Sequence, residues 1–329
     1  MIGLDIGTYS IKAVSITLAD GKAVLRGCNR VNRIPEEALH ESVKKVISGD
    51  LFAVEPLAIA VSGPRVIVRF VEWPVMTEAE LVSAARFEVE NEASFDMQDA
   101  IIDCRIVSRE AATNKIGVLI IAAAAAAVKT MVDEVTAAGR AVASIDVDSL
   151  ALCNAFLRTS AGQKVTDKDT ATALVNIGDT FVNMSIISRG IPFLARDTAG
   201  IGAELSGEIA RRLGVAGSEA YKLKHSLPAS PERVSELAGA MINKLAKEMK
   251  LSMGYFESQY SLPVEAIYVS GGSARLAGLT GSLAAALDVP VSVWDPFGAL
   301  AVGDAGPFAD APGEFAVAVG LALGSANNA

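Results

Sequence analysis

The stretch "LDIGTYSIKAVSI" (Leu4 to Ile16) can be laid without a gap over "VNIGDTFVNMSII" (Val175 to Ile187). Each runs a short apolar strand into Ile-Gly, then two or three polar or turn residues, then a second apolar strand. Apolar runs of this length bounded by turn residues read as strands. Ala19-Asp20-Gly21-Lys22 makes a hairpin turn into a third strand. The later copy continues alike, through Ser188 to Gly190 into "IPFLAR". Two hairpin-led halves predict a duplicated α/β fold with a cleft between the copies. The first turn carries Asp5, Gly7, Thr8, Ser10 and Lys12. Such a turn offers backbone N–H groups, hydroxyls and an ammonium to a phosphate, and Asp5 offers a carboxylate to the water shell of Mg²⁺. A polar hairpin at a sheet edge explains the same residues, and on this stretch alone the two readings stand level.

The totals narrow the class. A chain of 329 residues, 51% hydrophobic and 20% charged, is long enough for two domains with real cores. A net charge of −9 argues against a nucleic-acid partner, which needs a basic surface, and weakly against attachment to an anionic membrane. Cys28, Cys104 and Cys153 are odd in number, widely spaced and set in apolar stretches, as expected of buried thiols in a reducing compartment. His40 and His225 alone leave little room for a His-ligated metal or a His-based triad. No basic-then-apolar leader precedes Asp5. The longest apolar run, Gly117 to Val128, is too short to span a bilayer and reads as a strand entering a helix that ends near Gly139. The expectation is a soluble, cytoplasmic protein without direct membrane insertion.

Between the halves lies a segment of its own. "VIVRFVEWP" is a strand closing at Pro74, and Thr77 to Ala93 is a helix opened by a Thr77–Glu80 capping box. Two strands and a second helix follow, an inserted αββα unit. The second half has an insert too, with a helix stopped at Gly214 and another from about Pro231 to Ser261. "VSGGSARLAGL" (Val269 to Leu279) is then a strand, a double-glycine turn and a helix, where a ligand can lie against backbone. The expected division gives residues 1–74, 144–172 and 307–329 to a first lobe and 75–143 to the inserted subdomain. Residues 173–199 and 264–306 form the second lobe, with 200–263 as its helical insert.

With these motifs in order, the chain resembles the actin-like ATPase superfamily. The two hairpins look like its phosphate loops and "VSGGSARLAGL" like its adenosine loop. "ASIDVDSLALCNAF" (Ala143 to Phe156) and "FAVAVGLALG" (Phe315 to Gly324) look like its two connecting helices. "EAYKLKHS" sets Glu219, Lys222 and Ser226 at the spacing with which DnaK-type chaperones grip adenosine. The inserted segment from Val66 to Ser108 is similar to that of the type IV pilus assembly PilM family, as is "EIARRLG". The resemblance implies a duplicated actin-like, ribonuclease-H-like fold, two lobes around a nucleotide cleft. It also implies a cytoplasmic ATP-binding scaffold that captures the N-terminal tail of an inner-membrane PilN-like partner, alongside other pilus assembly proteins and self-association. In the family that tail docks between the inserted subdomain and the first lobe, a surface that here includes Phe87, Val89 and Phe95.

Carried over by residue, the resemblance sets Asp5 facing Mg²⁺ through water. Gly7, Thr8, Tyr9, Ser10 and Lys12 contact the phosphates of ATP, and Gly178, Asp179 and Thr180 hold them from the other side. Gly202 lies near the ribose or phosphates, and Glu219 and Lys222 flank the ribose. Gly271, Gly272, Ser273 and Arg275 line the adenine. Asp146 or Asp148 takes the place of the residue that orients attacking water in relatives that hydrolyse ATP. One departure stands out: Asn176 replaces the family's Asp in the second loop. An amide supplies no negative charge toward a metal-bound water, so binding survives while hydrolysis is slow or absent. Three rivals share the fold. A sugar-kinase-type phosphotransferase lacks this insert, and an FtsA-like filament-forming tether needs a C-terminal amphipathic helix that "GLALGSANNA" does not offer. A GspL-type domain would have decayed phosphate loops, whereas these are intact.

Overall fold

The opening hairpin forms as its spacing predicts. β1 (Ile2–Ile6) and β2 (Ser10–Ala19) pair antiparallel with Asp5 opposite Lys12, and β3 (Lys22–Asn32) continues the meander. A computed structural model describes residues 1–19, 21–34, 36–52, 55–166, 169–225, 232–302 and 311–326. After the helix α1 (Leu39–Val46), β4 (Leu57–Val61) lies parallel beside β1. Side chains alternate along β1 as in any strand, and both faces are covered. Ile2 and Leu4 enter a core with Val43, Val46 and Val135, while Gly3 turns to the other face.

The inserted segment follows. β5 (Val66–Pro74) leads to α2 (Glu78–Glu90), whose Thr77–Glu80 capping box closes as expected. β6 (Ala100–Glu110) and β7 (Lys115–Ala124) then pair antiparallel. β5 pairs with β7 along its whole length, which puts a strand from residues 1–74 in the same sheet as the two strands of the insert. The helix α3 (Ala125–Ala137) sends Val135 into the first-lobe core. Residues 75–143 thus run α2, β6, β7, α3, the expected αββα order, with β5 as the strand beside β7. Val89 and Phe95 lie in the core under α2, whereas Phe87 is 70% exposed.

β8 (Val142–Val147) returns to the first sheet, parallel to β4, and runs into α4 (Asp148–Phe156) and the short α5 (Ser160–Val165). The second half then repeats the first. β9 (Ala171–Ile177), β10 (Phe181–Ser188) and β11 (Ile191–Ala199) form the meander. The helices α6 (Ile201–Leu213), α7 (Gly217–His225) and α8 (Glu232–Tyr260) follow. β12 (Val264–Ser270) lies parallel to β9 as β4 does to β1. After α9 (Leu279–Leu287), β13 (Val291–Val293) lies beside β12. β14 (Ala301–Val302) pairs with β3 and so joins the first sheet, inside the segment expected in the second lobe. The sheets run β14-β3-β2-β1-β4-β8 and β13-β12-β9-β10-β11-β5-β7-β6.

α10 (Ala316–Ala326) crosses α4 between the two sheets, and one core takes residues from both helices and both sheets, among them Val14, Leu152, Leu174 and Val319. Glycines permit this approach. A Cβ on Gly3 would stand 1.9 Å from the Ala318 carbonyl oxygen, and one on Gly320 would stand 1.7 Å from that of Ala151. The two halves are thus hinged on a helix pair packed backbone to backbone.

Candidate functional site

Duplication places the two hairpin turns on facing edges of the lobes, with a cavity of about 510 Å³ between them. From the first turn, Asp5, Gly7, Thr8, Tyr9, Ser10 and Lys12 line it. Gly178, Asp179 and Thr180 line it from the second, and Gly271, Gly272 and Ser273 from the double-glycine turn. Gly271 is left-handed at φ +91°, and a Cβ there would meet the Ile177 carbonyl oxygen at 2.6 Å. The double-glycine turn abuts the second hairpin turn so closely that only glycine fits. Ser273 Oγ donates to the Gly178 carbonyl at 3.4 Å.

At the floor, Lys12 Nζ donates to Asp5 Oδ2 at 3.0 Å. Asp148 opens α4 beside them. Burial, then the Asp5 carboxylate, hold its carboxyl well above the ordinary aspartate value, against a hydrogen bond from Ser62. Of the two aspartates, Asp148 lines the cavity and Asp146 does not. Strand period alone would set residues two apart on one face, but β8 ends at Val147 and Asp148 already belongs to α4. Asp146 turns toward Asn154 Nδ2, 3.5 Å distant, and its carboxyl is raised by burial.

Four more expected residues lie off the cavity wall. Gly202 sits behind it, where a Cβ would come within 2.8 Å of Asp179 Cα and Ser273 Oγ. Arg275 is half exposed, 3.5 Å from Glu314. Glu219 and Lys222 are exposed on α7, and Ser226 lies outside the described residues. The face of α7 that meets the cavity is instead Tyr221, Lys224 and His225, spaced i, i+3, i+4. Lys224 is 1% exposed; its Nζ donates to the Gly202 carbonyl at 3.2 Å and stands 3.8 Å from Asp179 Oδ1. Burial lowers its pKa, opposed by Asp179. Helical spacing from Tyr221 was the available signal, but the chaperone-like spacing pointed one turn face away.

Arg30, Asn183 and Glu314 also line the cavity without any prior signal in a motif. Arg30 Nε pairs with Glu314 Oε2 at 2.9 Å, tying β3 to the turn before α10. Among the described residues no three or more His, Cys, Asp or Glu side chains cluster as a metal cage, and no helix is long and apolar enough to cross a membrane.

Two sheets of repeated topology, hinged on a helix pair and closing on a glycine-lined cleft, define an actin-like ATPase fold. Within that class, the chain belongs to the type IV pilus assembly protein PilM family, whose sequence profile matches residues 3–326. It is similar to the solved PilM-PilN type IV pilus biogenesis complex at 22% identity, with a TM-score of 0.87 over 99% of this chain and 98% of that one. Ethanolamine utilization protein EutJ from Carboxydothermus hydrogenoformans aligns at 15% identity and TM-score 0.52, over 98% and 88% of the two chains. MreB 5 of Spiroplasma citri, solved bound to AMPPNP, aligns at 10% identity and TM-score 0.51, over 97% and 93%.

Proposed function

We propose that the chain is a nucleotide-binding scaffold of type IV pilus assembly. It binds ATP with Mg²⁺ between its lobes and captures the short N-terminal tail of an inner-membrane, PilN-like partner. The observation that carries the nucleotide reading is the convergence of both hairpin turns and the double-glycine turn on one cavity. Backbone N–H groups in such turns bind polyphosphate without needing particular side chains.

The residues present suit the cation as well. Asp5 and Asp148 are two carboxylates coupled in a buried site with Lys12 as their near cation, which favours a further positive charge. Mg²⁺ keeps most of its waters and needs only one or two carboxylates from the protein, so a full cage is unnecessary. When bound, the ion supplies charge neutralisation to the phosphates. Gly7 to Ser10 and Gly178 to Thr180 hold the phosphates, and Lys12 and the buried Lys224 balance their charge. The base and sugar lie toward Gly271, Gly272, Ser273 and the α7 face. Asn176 brings no charge to this site, in keeping with slow or absent hydrolysis and a nucleotide that closes the cleft instead of being turned over.

The partner reading rests on family membership and on similarity to a protein solved as a PilM-PilN complex. Through such a tail the chain would sit at the cytoplasmic side of the inner membrane, with other pilus assembly proteins and further copies of itself as neighbours.

The test is the thermal midpoint with and without Mg²⁺-ATP, for the wild type and Asp5→Ala. Ligand at 100 times Kd stabilises the folded state by about 2.7 kcal/mol. An upward shift that the variant loses supports the reading. No shift, in protein free of carried-over nucleotide, leaves a scaffold that binds protein alone. A synthetic peptide of the partner's N-terminal tail, titrated in the presence and absence of Mg²⁺-ATP, tests capture.

A further inference from the structure

Three polar side chains cross the second lobe at right angles to its strands. Asn176 of β9 stands opposite Asn183 of β10, and Asn183 opposite Asp197 of β11. Asp197 Oδ2 accepts the Gly63 N–H at 2.6 Å, and its Oδ1 accepts Asn183 Nδ2 at 2.8 Å. Asn183 Oδ1 accepts Asn176 Nδ2 at 3.0 Å.

The polarity of this row is dictated from one end. A carboxylate carries acceptors only, and both Asp197 oxygens meet N–H donors. Asn183, 2% exposed, therefore turns its nitrogen to Asp197 and its oxygen to Asn176. Turning it over would set carboxylate against carbonyl and leave buried groups unpaired. Asn176 must donate in turn, and what it keeps for the cleft end is its carbonyl oxygen, which accepts from Ser270 Oγ at 3.5 Å. Asn176 and Asn183 line the main cavity, whereas Asp197 lies beyond it.

We propose that Asp197 is a positioning residue that fixes the Asn176 amide as a hydrogen-bond acceptor. Asn176 then serves as a neutral stand-in for a carboxylate, accepting from water held by a divalent cation without adding negative charge beside phosphate. The inference rests on the nucleotide reading above.

The test uses the full chain, with ATP affinity measured in Mg²⁺ and in excess chelator. The ratio of the two is the Mg²⁺ advantage. In Asp197→Asn the new amide can still accept from Gly63 but turns its nitrogen to Asn183, so the row inverts and Asn176 shows an NH₂ to the cleft. The advantage is expected to fall about tenfold, the worth of one hydrogen bond with a charged partner, with affinity in chelator unchanged. Asn176→Asp added to Asp197→Asn restores an acceptor at the cleft end and keeps the net charge, so the advantage should return.

An unchanged advantage in Asp197→Asn, or a loss that the double variant does not recover, overturns the inference while wild-type binding upholds the nucleotide reading. No ATP binding by the wild type overturns both. If Asp197→Asn does not fold, Asn183→Ala cuts the row with the Gly63 contact intact. It should lose the advantage by the same factor, and an unchanged advantage there overturns the inference equally.

Discussion

The ring of Tyr9 lies flat against that of Tyr221, centroids 3.9 Å apart and planes 10° from parallel. Tyr9 belongs to the first hairpin turn and Tyr221 to α7, so the stack joins the two lobes beside the cavity that both residues line. Burial, then Tyr9, push the Tyr221 hydroxyl up to about 12, and it stays neutral at physiological pH. This contact ties cavity-lining elements of opposite halves directly to each other.

Tyr9→Leu and Tyr221→Leu should therefore interact in a double-mutant cycle. Aromatic pairs contribute about 0.5–1.5 kcal/mol beyond the area they bury. The expected result in urea unfolding is a coupling energy of that size, with the second substitution costing less once the first is made. Strict additivity would show that the stack carries no energy of its own.

On α7 the buried cation is Lys224 and the exposed one Lys222. Lys224→Met removes the partner of Asp179 and the donor to the Gly202 carbonyl. ATP affinity should drop about tenfold or more, as for a charged hydrogen bond lost from a buried site. Lys222→Ala should change it less than about twofold, as exposed charges usually do. The reverse order would return the adenosine grip to the chaperone-like spacing.

His225 gives a pH signature. Burial, then the charges of Lys224, Arg275 and Arg30, push its pKa from 6.5 down to about 4. The folded protein holds a neutral imidazole, while the unfolded chain takes up a proton below 6.5. The stability this residue contributes is whole above pH 6.5 and lost as pH falls toward 4. Unfolding free energies across that window should fall further for the wild type than for His225→Gln. Equal losses in both would remove His225 as the source.

The hinge should be intolerant of a single methyl group. Gly320→Ala drives a Cβ into the Ala151 carbonyl, and the fixed helix crossing leaves no room to relax, so a loss of about 3 kcal/mol or more is expected. Gly207→Ala in α6 faces open space. There the usual helix preference for alanine should raise stability by up to about 1 kcal/mol. Two Gly→Ala changes in helices would thus move the thermal midpoint in opposite directions.

Much of the cleft was legible because its backbone parts are local. Asp5 to Lys12 lie within one hairpin, Gly178 to Thr180 within another and Gly271 to Ser273 within one turn, so a short window of sequence contains each. Strand period and turn chemistry act over the same few residues. The insert was harder. "VIVRFVEWP" reads as a strand in any setting, and its sheet was decided by pairing with Lys115–Ala124, distant along the chain.

What the sequence determined by itself was the duplicated α/β fold, the capping of α2 and the three glycine-bearing turns. These follow from period, turn residues and the repetition of one pattern, whereas the two hinge helices were read from the family resemblance. Only the tertiary structure decided that Asp148 and not Asp146 faces the cavity, that Lys224 supplies the buried cation, and that Asn176, Asn183 and Asp197 share one hydrogen-bonded row. Each depends on which side of an element is covered and by what. Packing between segments far apart in sequence settles that, and no local pattern records it.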